Sequence, residues 1–254
     1  MVLNAIPPKD LKVTHIQQWF PCLTFMHSDF SLNLFTMLCT IDDERNNVFI
    51  LKDGVQQYAV DVTLDPDTAH PFLILSDDGK QVHCDQEEND LPDNPERFSK
   101  FGIVLGKQSF SSGRFYFEVQ VKAKTLWMLG VARESVNRKE EFTFDWTPKK
   151  GYWCVFKGDE NLCVALKDPP VRVSFQSYPE KVGVFVDYEE GLVSFHDVEH
   201  ATLIYSFTGR SFTEKLYPLF CPGFNDDGKI SPPLIICPVM GDELTKPHLL
   251  IKTT

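Results

Sequence analysis

The sequence predicts an all-β protein in which two antiparallel sheets form a β-sandwich. From residue 60 onward the chain consists of short runs that are rich in β-branched and aromatic residues. Turn-forming residues separate these runs at close intervals, as in Asp77-Asp78-Gly79, Lys157-Gly158-Asp159 and Glu190-Gly191. No long segment keeps the 3.6-residue period of the helical crossovers that a parallel α/β fold requires.

The predicted strands follow one another along this part of the chain. In order they are Phe72–Leu75, Ile103–Leu105, Gly113–Val121, Thr125–Ala132, Tyr152–Phe156, Leu162–Leu166, Val171–Phe175, Lys181–Asp187, Leu192–Asp197, Leu203–Phe207, Leu216–Phe220 and Leu234–Ile236. Many short strands at this spacing are typical of a sandwich of two antiparallel sheets.

The hairpin over residues 181–197 shows how the strands are expected to pack. Val182, Val184 and Val186 would share one face of their strand, while Phe185 lies on the other. Because both faces are largely apolar, we expect this strand pair to be covered on both sides. Gly191 can take the positive φ that a short hairpin loop requires.

The acidic residues at this hairpin tip raise the possibility of an enzyme. Asp187, Glu189 and Glu190 are the best candidates for a carboxylate-dependent hydrolase, which needs two carboxyl groups about 5–9.5 Å apart across a cleft. A hairpin tip supplies neither burial nor an opposing wall, so we expect all three acids to stand in solvent as turn residues. The hydrolase is kept as an alternative.

Other chemical sites are not expected. His196 and His200 would share a face only on a helix, whereas residues 193–198 are predicted to form a strand, so no metal is expected. Cys154 and Cys163 are predicted to be buried small hydrophobic residues. The chain contains no phosphate-binding loop and no nucleophile-elbow pattern, so no cofactor is expected either.

Composition and charge exclude further classes of function. The formal net charge of −11 repels phosphate backbones and anionic lipid, so neither nucleic acid nor a membrane is an expected partner. The most apolar window, residues 19–39, is interrupted by His27-Ser28-Asp29 and is a poor membrane anchor. The seven cysteines form no C-x-x-C pair, and the chain has neither a glycosylation sequon nor a secretory leader. A cytoplasmic location is therefore expected.

Three further segments have distinct characters. Residues 77–96 carry eight acids against Lys80 alone, which predicts a solvated loop, or a short strand with long exposed flanks, whose partner would be basic. Residues 1–59 are predicted to be an atypical segment, in which residues 11–54 lack a clear period and are interpreted as a linker or a mis-spliced insert. Residues 240–254 are predicted to form a tail.

Several motifs resemble the PRY-SPRY domain, the C-terminal module of tripartite-motif and butyrophilin proteins. The three signature motifs are Leu64-Asp65-Pro66, Phe117-Glu118-Val119 and Val186-Asp187-Tyr188-Glu189, and the supporting stretches include residues 127–132, 151–153 and 217–225. The resemblance covers residues 60–239, with PRY over 60–110 and SPRY over 111–239. The likeness to fish-type tripartite-motif ligases is the strongest.

This resemblance implies a bent antiparallel two-sheet β-sandwich of the concanavalin-like jelly-roll type, which binds a protein partner or substrate through loops at one end. The family's binding positions fall on Met128, Phe156, Gly158, Phe224 and Asn225. The implied role is target recognition for a tripartite-motif ubiquitin ligase in innate immunity. The chain holds no cysteine/histidine framework of a RING or B-box and no long heptad run, so we do not expect it to be an enzyme by itself.

Two departures from the family pattern narrow the expected partner. Met128 and Gly158 stand where the antibody-binding member has an acid and a second Trp, so antibody binding is not expected. The basic pocket of phosphoantigen-sensing butyrophilins is not evident, although a butyrophilin-like small-ligand sensor remains an alternative. An inert fragment is the third reading. The sequence leaves the oligomeric state open.

Overall fold

The part of the chain that the structure describes folds into two antiparallel β-sheets with almost no helix, which confirms the predicted fold class. The computed structural model describes residues 54–139, 146–158, 162–173, 177–209, 211–223 and 231–238. Apart from the strands, these residues contain two 3-10 turns, Gln56–Tyr58 and Pro148–Lys150. The predictions for residues 1–53 and 239–254, and those for Phe224 and Asn225, lie outside the described residues.

Among the described residues, one sheet has seven strands, and three of its six neighbouring pairs join strands that are distant along the chain. In spatial order the strands are β1 (Leu73–Leu75), β2 (Gln81–Cys84), β13 (Leu234–Cys237), β4 (Arg114–Gln120), β9 (Lys181–Asp187), β10 (Leu192–Asp197) and β11 (Thr202–Phe207). The last described strand, β13, is thus inserted between β2 and β4. This pairing joins the PRY and SPRY segments through backbone hydrogen bonds.

The other sheet has six strands. In spatial order they are β3 (Val104–Leu105), β12 (Leu216–Cys221), β5 (Trp127–Arg133), β6 (Tyr152–Lys157), β7 (Cys163–Ala165) and β8 (Val171–Arg172). Strands β5 to β8 form a meander, and β12 returns to lie beside β5. The connections β4–β5, β6–β7 and β12–β13 therefore all start or finish at the same end of this sheet.

The main core lies between the two sheets. Its largest fully buried side chains include Trp127, Phe117, Phe195 and Phe220. Phe117 of the seven-stranded sheet and Phe220 of the six-stranded sheet approach to 5.8 Å between ring centroids. Phe117 is 1% exposed, and burying a side chain of this size contributes about 1.5–3 kcal/mol.

The hairpin of β9 and β10 is covered on both faces, as its sequence predicts. Val182, Val184 and Val186 are fully buried in the main core. Phe185 points to the opposite face, where it packs with Tyr116 and Val55. Gly191 has φ +62°, the positive value predicted for the turn.

The strand β2 is the main element that the strand pattern did not specify. Residues 81–84 lie inside the acidic stretch 77–96, for which the sequence predicts either a loop or a short strand with exposed flanks. The structure selects the short strand, because β2 pairs with β1 on one side and β13 on the other. Its neighbours β1 and β13 supply hydrogen bonds that local sequence cannot reveal. Within the described residues, no helix is long and apolar enough to cross a membrane.

Candidate partner-binding surface

The predicted binding positions Met128 and Phe156 are brought together on the outer face of the six-stranded sheet. They lie directly opposite each other on β5 and β6. The register extends this pair into a row across five strands, with Cys221 beside Met128, Val164 beside Phe156, and Arg172 beside Val164. Directly opposed residues in a sheet share one face. We call these five residues the binding row.

Burial differs along the binding row. Met128 is only 2% exposed and Val164 only 8%, whereas Phe156, Cys221 and Arg172 are half-buried. Among the predicted contacts that the structure describes, the aromatic ring of Phe156 is therefore the most accessible. Met128 lies beside it on β5 and is almost fully buried within the outer-face cluster.

Gly158 closes the hairpin that presents Phe156. Its backbone N–H donates a 2.8 Å hydrogen bond to the carbonyl of Leu162. A Cβ at Gly158 would lie 3.1 Å from Cε1 of Phe156 and 3.3 Å from Cδ2 of Leu162. A larger residue here would press against the Phe156 ring, so Gly158 leaves room for the ring in its observed position.

Phe224 and Asn225 lie outside the described residues, but both flanks of residues 224–230 are well defined. Gly223 has φ +61°, and a Cβ there would come within 2.7 Å of the Leu126 carbonyl oxygen. On the other flank, the Lys124 ammonium donates hydrogen bonds of 2.6 Å to Ser231 Oγ and to the Pro232 carbonyl. Burial lowers the pKa of Lys124 to about 8. Both flanks thus pack against the β4–β5 connection, which leads directly into Met128 on β5.

A second hydrophobic cluster surrounds the binding row on the outer face. Phe98 and Phe101, from the segment that precedes β3, are buried against Met128 and Leu219. The partly exposed members of this cluster are Trp146, Phe156, Leu166, Tyr217 and Cys221. Half-exposed aromatic and apolar side chains on a rigid sheet are typical of a protein-binding surface.

The acidic segment 85–96 borders this cluster. It begins at Asp85, whose backbone N–H donates a 2.7 Å hydrogen bond to the Phe72 carbonyl, and it ends next to the buried Phe98. Most of its acids are exposed, and Asp93 pairs with Lys139 at 2.5 Å. Because the His70 N–H donates to the Ile103 carbonyl beside β3, the start of the segment lies near the edge of the six-stranded sheet at which β3 adjoins β12.

The expectation that all three hairpin acids stand in solvent was wrong for Asp187. Its side chain is 7% exposed and accepts a 2.5 Å hydrogen bond from Arg114 Nε. The backbone N–H of Glu190 donates to the other carboxylate oxygen of Asp187. The physical reason is the register of β4 against β9, which sets Arg114 directly opposite Asp187.

The other two hairpin acids are exposed, as predicted. Glu189 accepts the backbone N–H of Gly113, at 2.8 and 3.0 Å from its two oxygens. Asp187 thus pairs with Arg114 and Glu189 with the Gly113 N–H, so both acids stabilise the hairpin instead of forming a pair across a cleft. This geometry gives no support to a carboxylate-dependent hydrolase.

The histidines of this region have structural partners. His196 lies on β10 with Nε2 2.8 Å from Ser194 Oγ, and burial lowers its pKa to about 4. Asp197, Glu199 and His200 place donor atoms within 4.8 Å of one another. Asp197 already accepts the backbone N–H groups of Glu199 and His200, besides contacting the His200 ring at 2.8 Å. These hydrogen bonds close the turn after β10 and explain why the three side chains lie close together.

The cysteines predicted to be buried are buried. Cys154 and Cys163 are fully enclosed, and burial raises the pKa of Cys163 to about 12 and that of Cys154 still further. Cys221 in the binding row also has its pKa raised by burial, to about 11. None of these thiols is an activated nucleophile, because the thiolate is the reactive form.

Sequence reasoning missed three members of the binding row, Cys221, Val164 and Arg172. Each alternates correctly with its neighbours, so the outward face could be assigned from the period of two. Their alignment with Phe156 depends on strand order and register, which the pattern of a single strand does not contain.

Comparison with known proteins assigns the family. Residues 62–110 match the family model of PRY, the SPRY-associated domain, and residues 114–234 match that of the SPRY domain. The chain therefore belongs to the PRY-SPRY proteins of the tripartite-motif and butyrophilin type. A SPRY domain is a module that binds protein partners and has no catalytic function of its own.

Among curated proteins, the chain is 46% identical to human pyrin (Homo sapiens) over 188 residues, which is 74% of this chain and 24% of pyrin. It is 39% identical to the E3 ubiquitin-protein ligase TRIM21 of Bos taurus over 212 residues, 82% of this chain and 45% of that protein. The erythroid membrane-associated protein of Mus musculus is 46% identical over 178 residues, 70% of this chain and 31% of that protein. The chain thus spans less than half the length of each of these relatives.

Two solved structures share the fold. The TRIM65 PSpry domain superposes with a TM-score of 0.61 at 21% identity, covering 79% of this chain and 98% of that one. Stonustoxin superposes with a TM-score of 0.63 at 23% identity, covering 74% of this chain and 31% of that one. At this level of identity the likeness establishes the fold alone.

Proposed function

We propose that this protein recognises a protein target through the outer face of its six-stranded sheet. The supporting observation is the binding row, in which the half-buried Phe156 projects beside Gly158 at the end of the sheet where three connections meet. Phe224 and Asn225 are proposed to complete the surface, since both flanks of residues 224–230 are fastened beside Met128.

The proposed target carries a basic surface next to its main contact. The acids of segment 85–96 border the hydrophobic cluster and are mostly exposed. Opposite charges accelerate encounter between proteins, and the effect is screened as salt is added. The association rate of the target should therefore fall with ionic strength and with a Glu87→Lys/Glu88→Lys double substitution.

In the cell, the proposed role is target recognition for ubiquitin transfer in innate immunity, in the cytoplasm. This proposal is supported by the similarity to tripartite-motif proteins, among them the E3 ubiquitin-protein ligase TRIM21 of Bos taurus. Depleting the protein should lower ubiquitin attachment to a captured target, and fractionation should recover both in the cytosol. Unchanged modification of the target on depletion would contradict the ligase-linked role.

The binding surface is tested by affinity capture with the full chain and two matched variants. Phe156→Ala removes the accessible ring of the binding row. Tyr205→Ala removes a half-buried ring from β11, in the other sheet, and serves as the control. Specific targets should be lost with Phe156→Ala and retained with Tyr205→Ala. If a folded Phe156→Ala chain retains every target, the assigned surface is wrong.

A further inference from the structure

We propose that the binding surface is electrically polar and takes an extended polypeptide segment in one orientation. The segment would lie across the strands along the binding row, with an acidic side chain at Arg172 and basic side chains at the acidic segment 85–96. Apolar residues between them would contact Phe156. This inference rests on the proposed function and adds the chemistry and the direction of the target.

Arg172 provides the positive end. It lies on β8, the strand at one edge of the six-stranded sheet, and it closes the binding row next to Val164. Its side chain is half-buried and makes no hydrogen bond or ion pair with any residue in the described ranges. A guanidinium can bind a carboxylate with two parallel hydrogen bonds, which suits recognition of an acidic side chain.

The other described arginines are all engaged within the fold. Arg97 donates to backbone carbonyls of Pro66, Ala69 and Pro92, and Arg114 pairs with Asp187. The two remaining ones also have partners: Arg133 lies 3.7 Å from Glu214, and Arg138 donates to the carbonyl of Glu96. Arg172 therefore differs from them in that its guanidinium has no hydrogen-bond or ion-pair partner among the described residues.

The acidic segment provides the negative end. Between Cys84 and Phe98 it holds six acids, Asp85, Glu87, Glu88, Asp90, Asp93 and Glu96. Glu87, Glu88 and Asp90 are exposed, and the sole ion pair formed by these six acids with described residues is that of Asp93 with Lys139. The start of the segment is held beside β3, since the Asp85 N–H donates to the Phe72 carbonyl and the His70 N–H to the Ile103 carbonyl. Because β3 and β8 are the two edge strands of this sheet, the two charged ends lie toward opposite edges.

The separation of the two ends sets the length of the segment. Four strand spacings separate β12 from β8. At 4.7–4.9 Å per spacing, the row is roughly 19 Å long. An extended chain covers about 3.3 Å per residue, so about six residues span the row. The expected target motif thus has an acid, two or three apolar residues over Phe156, and basic residues beyond them.

This charge distribution disfavours other occupants. A purely anionic surface, such as a phospholipid headgroup layer or a nucleic acid, would be repelled by segment 85–96. A uniformly basic peptide would leave Arg172 facing a like charge. A segment that carries both signs in the stated order satisfies both ends.

The test is selection of random peptides of about twelve residues, displayed on phage, against the full chain and its Arg172→Glu variant. Lys107→Glu is the control, because it makes the same change of net charge at an exposed site on the connection that follows β3. The wild type should enrich peptides with an acid on one side of an apolar pair and basic residues on the other. A synthetic peptide from this set should bind Arg172→Glu about ten-fold more weakly, and the Lys107→Glu control nearly as well as the wild type.

Exchanging the acid of that peptide for Lys should restore binding to Arg172→Glu, which separates a direct charge contact from damage to the fold. If Phe156→Ala abolishes peptide binding but Arg172→Glu binds the peptides as tightly as the wild type, the proposed contact at Arg172 is wrong and the proposed surface at Phe156 is retained. A wild-type chain that enriches no peptide would overturn this inference, whereas the proposed surface is tested separately by affinity capture with Phe156→Ala.

Discussion

Two buried histidines should make this protein lose stability in mild acid. His70 is 4% exposed and His196 is 2% exposed. Burial lowers the pKa of His196 to about 4. Burial also lowers the pKa of His70 to about 4; the nearby Arg97 adds to this effect, and a backbone hydrogen bond with Ser99 partly opposes it. In the unfolded chain both would titrate near their ordinary value of 6.5.

Stability changes with pH because the folded and unfolded chains bind different numbers of protons. Between the unfolded and the folded pKa, the unfolded chain binds more protons than the folded one, so the free energy of unfolding falls as the pH falls through this range. For a shift from 6.5 to about 4, each histidine costs about 2 kcal/mol at about pH 5, and the two together cost about 4 kcal/mol. The stability is fully present above the unfolded value and is lost progressively below it.

Carboxylates do not obscure this window. Hydrogen bonds lower the pKa of Asp78 through Ser76, of Asp93 through Lys139 and of Glu214 through Ser135. The stability contributed by these acids is present above their ordinary pKa and disappears only below about pH 4. The range from about pH 7.5 to about pH 5 therefore reports mainly on the histidines.

The assay is urea unfolding at several pH values across this range, with variants that keep the hydrogen-bonding shape. His70→Asn retains an acceptor for the Phe72 N–H, and His196→Gln retains a partner for Ser194. His83→Gln, at a half-buried histidine on β2, is the control. The double variant should lose most of the pH dependence that the control keeps. A wild type whose free energy of unfolding changes by less than about 1 kcal/mol, or a double variant with an undiminished slope, would refute this reasoning.

Three other predictions concern stability. Gly130→Ala should destabilise the chain by more than about 3 kcal/mol in thermal unfolding, because its Cβ would lie 2.1 Å from the Trp153 carbonyl oxygen; Gly54→Ala, with nothing within 4 Å, should be nearly neutral, and a mild effect at Gly130 would contradict the packing described. Arg114→Met should cost about 1–3 kcal/mol by leaving the buried Asp187 carboxylate without its cation, and a double-mutant cycle with Asp187→Asn should show coupling; additive effects would show that the pair is not an interacting one. Burial lowers the pKa of Lys124 to about 8 in the folded chain, so the unfolded chain binds more protons above this pH and the wild type should gain about 2 kcal/mol of stability between about pH 7.5 and about pH 9.5. Lys124→Met should abolish this gain. Equal dependence of the free energy of unfolding on pH in wild type and variant would contradict a buried ammonium.

Part of the candidate site was predictable from residue type and spacing. Phe156 and Gly158 follow a buried strand and adjoin a polar turn, and the resemblance placed them in the binding surface. The structure puts Phe156 at the surface but nearly covers Met128, because the neighbouring Phe98 and Phe101 pack over the outer face of β5. A side chain's exposure depends on what folds over it, and here the covering residues come from a segment before β3.

The sequence by itself determined the strand-rich character, the two faces of each strand, the positive φ of Gly191 and the family. Those features depend on local periodicity, on turn chemistry and on motifs that are read in order. Only the tertiary structure decided that β13 sits between β2 and β4, that Asp187 is buried against Arg114, and that Arg172 lines up with Phe156. Hydrogen bonds between strands far apart in sequence fix these neighbours, and a period of two assigns a side chain to a face without naming the strand beside it.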